Sequence, residues 1–178
     1  MTHSLRSGGT PPVVLVRRGL IALTVIGILA TAFELATERH WNGWEQLIPW
    51  VALVALAAAV ALLVLPGGRG TTAARVLAFL VLGASVYGML EHVLVNVGTG
   101  ALDQRYADTW ESLSLFERGW YAVTKTVGPA PPLAPGVLAQ TALLLLLATI
   151  CNPRRPHGHD ARQRHEAHNG LADGNPAR

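Results

Sequence analysis

The residues of this chain that could do chemistry are acids and imidazoles set inside apolar runs. Glu34 and Glu38 stand in one such run, and Glu91, His92 and Asn96 in another. An acid at the centre of a bilayer costs about 2.5–3.5 kcal/mol on insertion scales, so such residues ordinarily face a partner or a cavity. Carboxylates joined by an imidazole and an amide suit a divalent metal ion such as zinc, manganese or iron. The same groups suit a proton relay, because desolvated Glu and His titrate near neutrality. On this reading Glu34 and Glu91 accept a cation or a proton, His92 is a ligand or relay, and Asn96 orients the others. Tyr87, His40 and Gln140 lie close enough in register to join them. No G-x-S-x-G, H-E-x-x-H, C-x-x-C or phosphate-cradling glycine loop is present, so no catalytic residue is assigned. The one cysteine, Cys151, excludes an intramolecular disulfide and any zinc site built on paired thiolates.

The spacing of these residues is helical. Thr24, Gly27, Thr31, Glu34 and Glu38 recur at steps of three and four, which is one helix face. Ser85, Gly88, His92 and Asn96 do the same, with Tyr87 and Glu91 on the adjoining stripe. Glu34 lies 16 residues beyond Arg18, and Glu91 lies 16 beyond Arg75. At about 1.5 Å per residue both acids sit ~24 Å past a basic boundary. The spacing therefore predicts that Glu34, Glu91 and His92 share one layer, with Glu38, His40 and Asn96 in a shallower one. Gly27 and Gly88 are expected to let the two polar faces approach each other. The same offset aligns Arg18, Leu20, Leu23 and Glu34 with Arg75, Leu77, Leu80 and Glu91, which raises an internal duplication of two hairpins.

The elements that must carry these faces follow from composition and charge intervals. Of 178 residues, 51% are apolar and 14% charged, with a mean hydropathy of +0.34. Soluble domains carry about 25% charged residues, so an ordinary soluble enzyme is excluded. There are 23 uncharged residues between Glu45 and Arg69 and 28 between Lys125 and Arg154; either interval holds the ~20 residues that cross a bilayer core. Two further apolar runs begin at Gly19 and Val76 and continue past Glu34 and Glu91. The expectation is an all-α polytopic membrane protein, a four-transmembrane-helix bundle with helices at 18–39, 47–66, 74–97 and 133–151. Strand-period alternation is absent.

Flanking segments complete the reading. An outer loop at 98–132 contains Asp108-Thr109-Trp110-Glu111, a capping-box pattern, followed by apolar residues at helical spacing. It predicts an amphipathic outer helix over 109–127, lying in the interface or packed on the bundle. Gly128 to Pro135 is too proline-rich to be helical throughout and redirects the chain into the last helix. Residues 152–178 form a His- and Arg-rich tail without apolar periodicity, expected to be disordered. Arg6, Arg17, Arg18, Arg69, Arg75, Arg154, Arg155, Arg162, Arg164 and Arg178 fall on one side of the spans. Only Arg39, Arg105, Arg118 and Lys125 fall on the other. That asymmetry predicts a plasma-membrane protein with both termini, including the segment 1–17, in the cytoplasm. Arg17-Arg18 followed by an apolar run and Ala30-Thr31-Ala32 also fits an export signal, but the polar stripe running through the cleavage position favours an uncleaved anchor.

Several functions remain open at this point. The polar residues serve as interhelical glue, or as an outward-facing site that binds or relays a cation or proton, with a divalent metal the implied cofactor. A redox protein with His40 and His92 as haem ligands is a third reading, although their spacing predicts a depth difference of ~7–8 Å along the helices. A fourth is an accessory membrane subunit. The partners implied are the lipid bilayer and a second copy or a membrane complex, not nucleic acid.

Overall fold

A computed structural model describes residues 12–65 and 70–151 of the chain. The expected tail at 152–178, with its histidines, lies outside the described residues. Within them every regular element is helical: α1 (Pro12–Thr37), α2 (Trp44–Val64), α3 (Thr71–Thr99), α4 (Leu115–Val123) and α5 (Ala134–Ile150). Short 3-10 turns at Gly100–Leu102 and Trp110–Ser112 lie between α3 and α4.

α1 opens on Pro12, a residue pre-set for the first helical position, and so takes in Arg17 and Arg18. It stops at Thr37, short of the expected residue 39. Arg39 adopts a left-handed backbone (φ 51°). Its N–H donates to Ala36 O at 3.2 Å, and the His40 N–H donates to Leu35 O at 2.9 Å. That pair of bonds is a Schellman motif, built here without the usual glycine. The α4 terminus repeats it with Lys125 at φ 54° and the Thr126 N–H on Tyr121 O at 2.8 Å.

The four long helices alternate in direction. α5 packs along both α1 and α3, α3 also packs along α2, and α1 meets α2 over a shorter stretch. Small residues make these contacts close: a Cβ on Gly27 would lie 2.5 Å from Thr141 Oγ1, and one on Gly88 would lie 3.3 Å from Pro135 Cβ. Both glycines thus receive α5. The polar faces of α1 and α3 were expected to approach each other directly; instead each of these helices packs most extensively on α5. The centre is dry and tight, with Leu56, Ala59, Ala74, Ala78 and Leu145 all fully buried.

The outward faces are apolar, as Leu29, Phe33, Val54, Phe79, Leu94 and Ile150 show. Soluble monomers do not carry such a continuous apolar belt. α1, α2 and α3 are each long and apolar enough to cross a membrane, while α5 has 17 residues. The fold is that of a helical membrane protein.

The segment after α3 departs from its expected form. The capping box lies at Ser114–Glu117, where Glu117 N–H donates to Ser114 Oγ at 3.3 Å and Ser114 N–H donates to Glu117 Oε2 at 2.8 Å. The Asp108–Glu111 pattern instead leads into a 3-10 turn that tucks the Trp110 indole against Gly100. The apolar stripe consequently splits. Trp110 and Val127 are buried at 3% and 1% exposure, while Phe116 and Trp120 between them stay open at 79% and 57%.

Candidate functional site

At the end of the bundle where α1 and α3 finish, the splay between α1 and α3 leaves a cavity of about 590 Å³. α1 contributes Thr31 and Glu34, with Glu38 just past its end. α2 contributes Glu45 and Gln46, and α3 contributes Tyr87, Glu91 and His92. His40 reaches the same space because the Schellman turn folds it back over the bundle instead of lifting it a turn higher. Toward the bundle centre the lining becomes Ala52, Ser85 and Leu138.

The structure therefore brings Glu34, Glu38, His40, Tyr87, Glu91 and His92 to one cavity. Asn96 and Gln140 are not among its walls. Asn96 is fully buried, and its amide is fully used. Nδ2 donates to Ala122 O at 3.1 Å and to Ala130 O at 2.7 Å, and Oδ1 accepts the Ala130 N–H at 2.9 Å. Gly128 (φ 81°) passes so close beneath it that any Cβ would strike Asn96. Asn96 is thus the clasp that ties the chain around α4 and the proline segment to α3. Gln140 is exposed on α5.

Two charged lining residues were not singled out by sequence spacing. Glu45 sits in the first turn of α2, where a negative charge favours the helix dipole. Pro49, four residues on, has no N–H to return to the Glu45 carbonyl, which therefore lacks its ordinary helical donor. Lys125 arrives through the left-handed turn closing α4. Thr31 lines the cavity with its side chain 5% exposed and its hydroxyl without a partner, whereas Thr24, Ser85 and Thr141 each donate to the carbonyl four residues back.

The charges here are unspent. Among the described residues the ion pairs are Arg105–Asp103 and Arg118–Glu111, both in the loop, and no cavity carboxylate is in one. Tyr87 lies beside Glu91 on its own helix and within the field of Glu45 across the cavity. The His92 Nδ1 is 2.7 Å from Pro131 O. A carbonyl only accepts, so Nδ1 carries the hydrogen and Nε2 of the neutral ring keeps a free lone pair. Partial burial pushes the His40 imidazole below its ordinary pKa; the nearby His92 adds to that and Glu38 opposes it. Among the described residues no three His, Cys, Asp or Glu side chains stand close enough together to hold a metal ion. The donors are spread around a wide cavity rather than focused on a point.

Comparison with protein-family models, curated proteins and solved structures found no match to this chain.

Proposed function

We propose that this is a four-span membrane protein with both termini in the cytoplasm, whose outward-facing cavity binds a cation. α5 is the fourth span. Its 17 helical residues give about 26 Å, and the proline segment ahead of it covers the remaining depth to the interface. Arg17, Arg18 and Arg75 then mark the cytoplasmic end, as the asymmetry of basic residues requires. The exposed face of α4, with Phe116 and Trp120, lies in the outer interface.

The observation that carries the reading is the set of four carboxylates around one cavity with no ion-pair partner. Lys125 is the one Lys or Arg on its wall among the described residues, so that lining keeps a negative excess and raises the local cation concentration. Below it the polar hydroxyls, Thr31 aside, are bonded to their own helices, and the centre is packed with Leu and Ala. The cavity is a site rather than a conduit. The haem reading fits less well, because an acid-lined space repels a porphyrin's own carboxylates. A purely structural role describes Asn96 but leaves the carboxylates without a task.

The test is cation binding to purified protein in nanodiscs, with manganese(II), tetraethylammonium and an arylalkylammonium as probes. At least one probe binds wild type with an affinity that Glu34→Gln/Glu91→Gln loses. Equal binding of all three to both proteins overturns the reading.

A further inference from the structure

One residue whose register aligns it with the cavity lies outside it and has no task there. Gln140 is exposed on the outward face of α5, and its side-chain amide has no hydrogen-bond partner among the described residues. Glu34 and Tyr87 are also exposed, but they line the cavity and Gln140 does not. Its depth follows from two contacts. Gly27 packs against Thr141, so Gln140 is level with Gly27, nine residues beyond Arg18. Thr149, which Arg75 bonds, lies nine residues farther along α5 than Gln140. At ~1.5 Å per residue either register puts Gln140 about 14 Å from the arginine boundary, near the middle of a hydrocarbon core ~30 Å thick. Its side chain is too short to reach water or headgroups at either interface, and polar groups at that depth ordinarily face protein.

We infer that α5 is the seam of a two-fold homodimer in which Gln140 pairs with the same residue of a second copy. The inference rests on α5 as the fourth span and is independent of what the cavity holds. The seam is written along the helix. Leu133, Val137, Gln140, Leu144 and Leu147 recur at alternating steps of four and three, and Cys151 continues them. Two helices that repeat contacts on this period stay together while crossing at a shallow angle. Leu144 is half-buried, and the others from Leu133 to Leu147 are exposed. The opposite face of α5, with Leu138, Ala142 and Leu145, is buried in the bundle, so pairing leaves the monomer fold as it is.

The amide itself selects a second copy as the occupant. It carries both donors and an acceptor, so two glutamines satisfy each other reciprocally, as two carboxylates or two ammonium groups do not. Copies inserted in the same orientation hold Gln140 at the same depth, and a two-fold axis along the membrane normal brings the pair face to face. A single polar pair in an otherwise apolar seam also fixes its register.

Cys151 reports the seam directly. Full-length protein is reconstituted in liposomes at high lipid excess, oxidised with copper phenanthroline and run on a non-reducing gel. Wild type is expected to give a disulfide-linked dimer through Cys151. A Val64→Cys thiol in a Cys151→Ser chain, exposed at the same end on α2, is expected to stay monomeric. Gln140→Leu is expected to weaken self-association about tenfold, read by energy transfer between copies labelled at the N-terminus over a dilution series in lipid, with helix content unchanged by circular dichroism. Equal cross-linking of the two thiols, or self-association unaffected by Gln140→Leu, overturns the inference. A wild-type chain that is monomeric at every dilution also overturns it and leaves the stripe to another membrane protein. A Gln140→Cys thiol separates this from failure of the four-span reading. Labelling of that thiol by an impermeant maleimide in permeabilised membranes sinks the span and the seam together; a shielded thiol with no dimer sinks the seam alone.

Discussion

The two ends of this bundle use polar residues in opposite ways. At the end where α2 and α5 finish, polar groups are turned on the fold itself. Arg17 reaches the Leu63 carbonyl at 2.8 Å, and Arg75 holds Thr149 through Oγ1 at 2.9 Å and the carbonyl at 3.2 Å. Those carbonyls belong to the last turns of α2 and α5, where helix dipoles and missing donors make a cation welcome. At the other end the carboxylates of Glu34, Glu38, Glu45 and Glu91 surround a cavity without ion pairing. The difference teaches that a charge in an apolar helix is not by itself a sign of a site. What distinguishes the two ends is that Arg17 and Arg75 each bond the last turn of a neighbouring helix, while the four carboxylates are in no ion pair among the described residues.

The comparison breaks most decisively at Asn96, a polar residue at the acidic end that behaves like those at the arginine end. Asn96→Ala strands the Ala130 carbonyl and N–H and removes a further bond to Ala122 O, which keeps its backbone donors, and is expected to cost about 3 kcal/mol in thermal or denaturant unfolding. A loss under about 1 kcal/mol would remove it from the structural class. Next comes Gly27→Ala, which drives a Cβ against Thr141 and is expected to cost about 1–3 kcal/mol by overpacking α1 on α5. An unchanged melting curve there would mean that α1 packs elsewhere. Arg75→Gln removes the cap of α5 and is expected to cost about 1 kcal/mol. Set against it, Glu34→Gln/Glu91→Gln should change stability by no more than about 0.5 kcal/mol, because neither carboxylate is in an ion pair and a glutamine oxygen still accepts from the Tyr87 hydroxyl beside position 91. A larger destabilisation by the double variant would convert them to interhelical glue.

The smallest effect is a pH dependence. The His40 imidazole has a pKa below its unfolded value, so the folded protein binds the proton less readily than the unfolded chain. Its contribution is fully present above the ordinary imidazole pKa and is lost as pH falls through that value toward the lower folded one. Melting temperatures of wild type and His40→Gln should therefore draw together on acidification. A gap that widens as pH falls would give the shift the opposite sign.

Much of this was legible in the sequence, for physical reasons that can be traced. Charge intervals and apolar runs mark the long helices, since desolvating a charge in lipid is expensive enough to leave gaps in the pattern. The step of three and four residues put Glu34 on one face of α1 and His92 on one face of α3, and the matched offsets from Arg18 and Arg75 placed Glu34 and Glu91 at the same end. Which helix those faces pack on was not legible. Gly27 and Gly88 announce close packing without naming a partner, and that partner is α5. The turn that carries His40 to the cavity was not legible, because the α1 terminus is built on Arg39 in a left-handed conformation that glycine would ordinarily signal. Asn96 shares the spacing of His92, yet its task depends on Ala122 and Ala130, far along the chain. α4 is capped by Ser114 rather than Asp108 because two capping patterns compete, and burial of Trp110 against Gly100 decides between them.

At the arginine end, an arginine early in α1 bonds the last turn of α2, and one early in α3 bonds the last turn of α5. The first sits at Arg17, one residue out of step with the offset that pairs Glu34 with Glu91, so these bonds do not extend that alignment.

The central claim is that the acidic end of the bundle opens to the outside while the arginine end does not, and thiol accessibility tests it most directly. Cys151, the sole native cysteine, ends α5 at the arginine end and is a built-in reference. A membrane-impermeant maleimide applied to intact cells should label the thiol introduced by Glu91→Cys, and should reach Cys151 only after permeabilisation. Labelling of Cys151 from outside, with position 91 silent, would contradict the account.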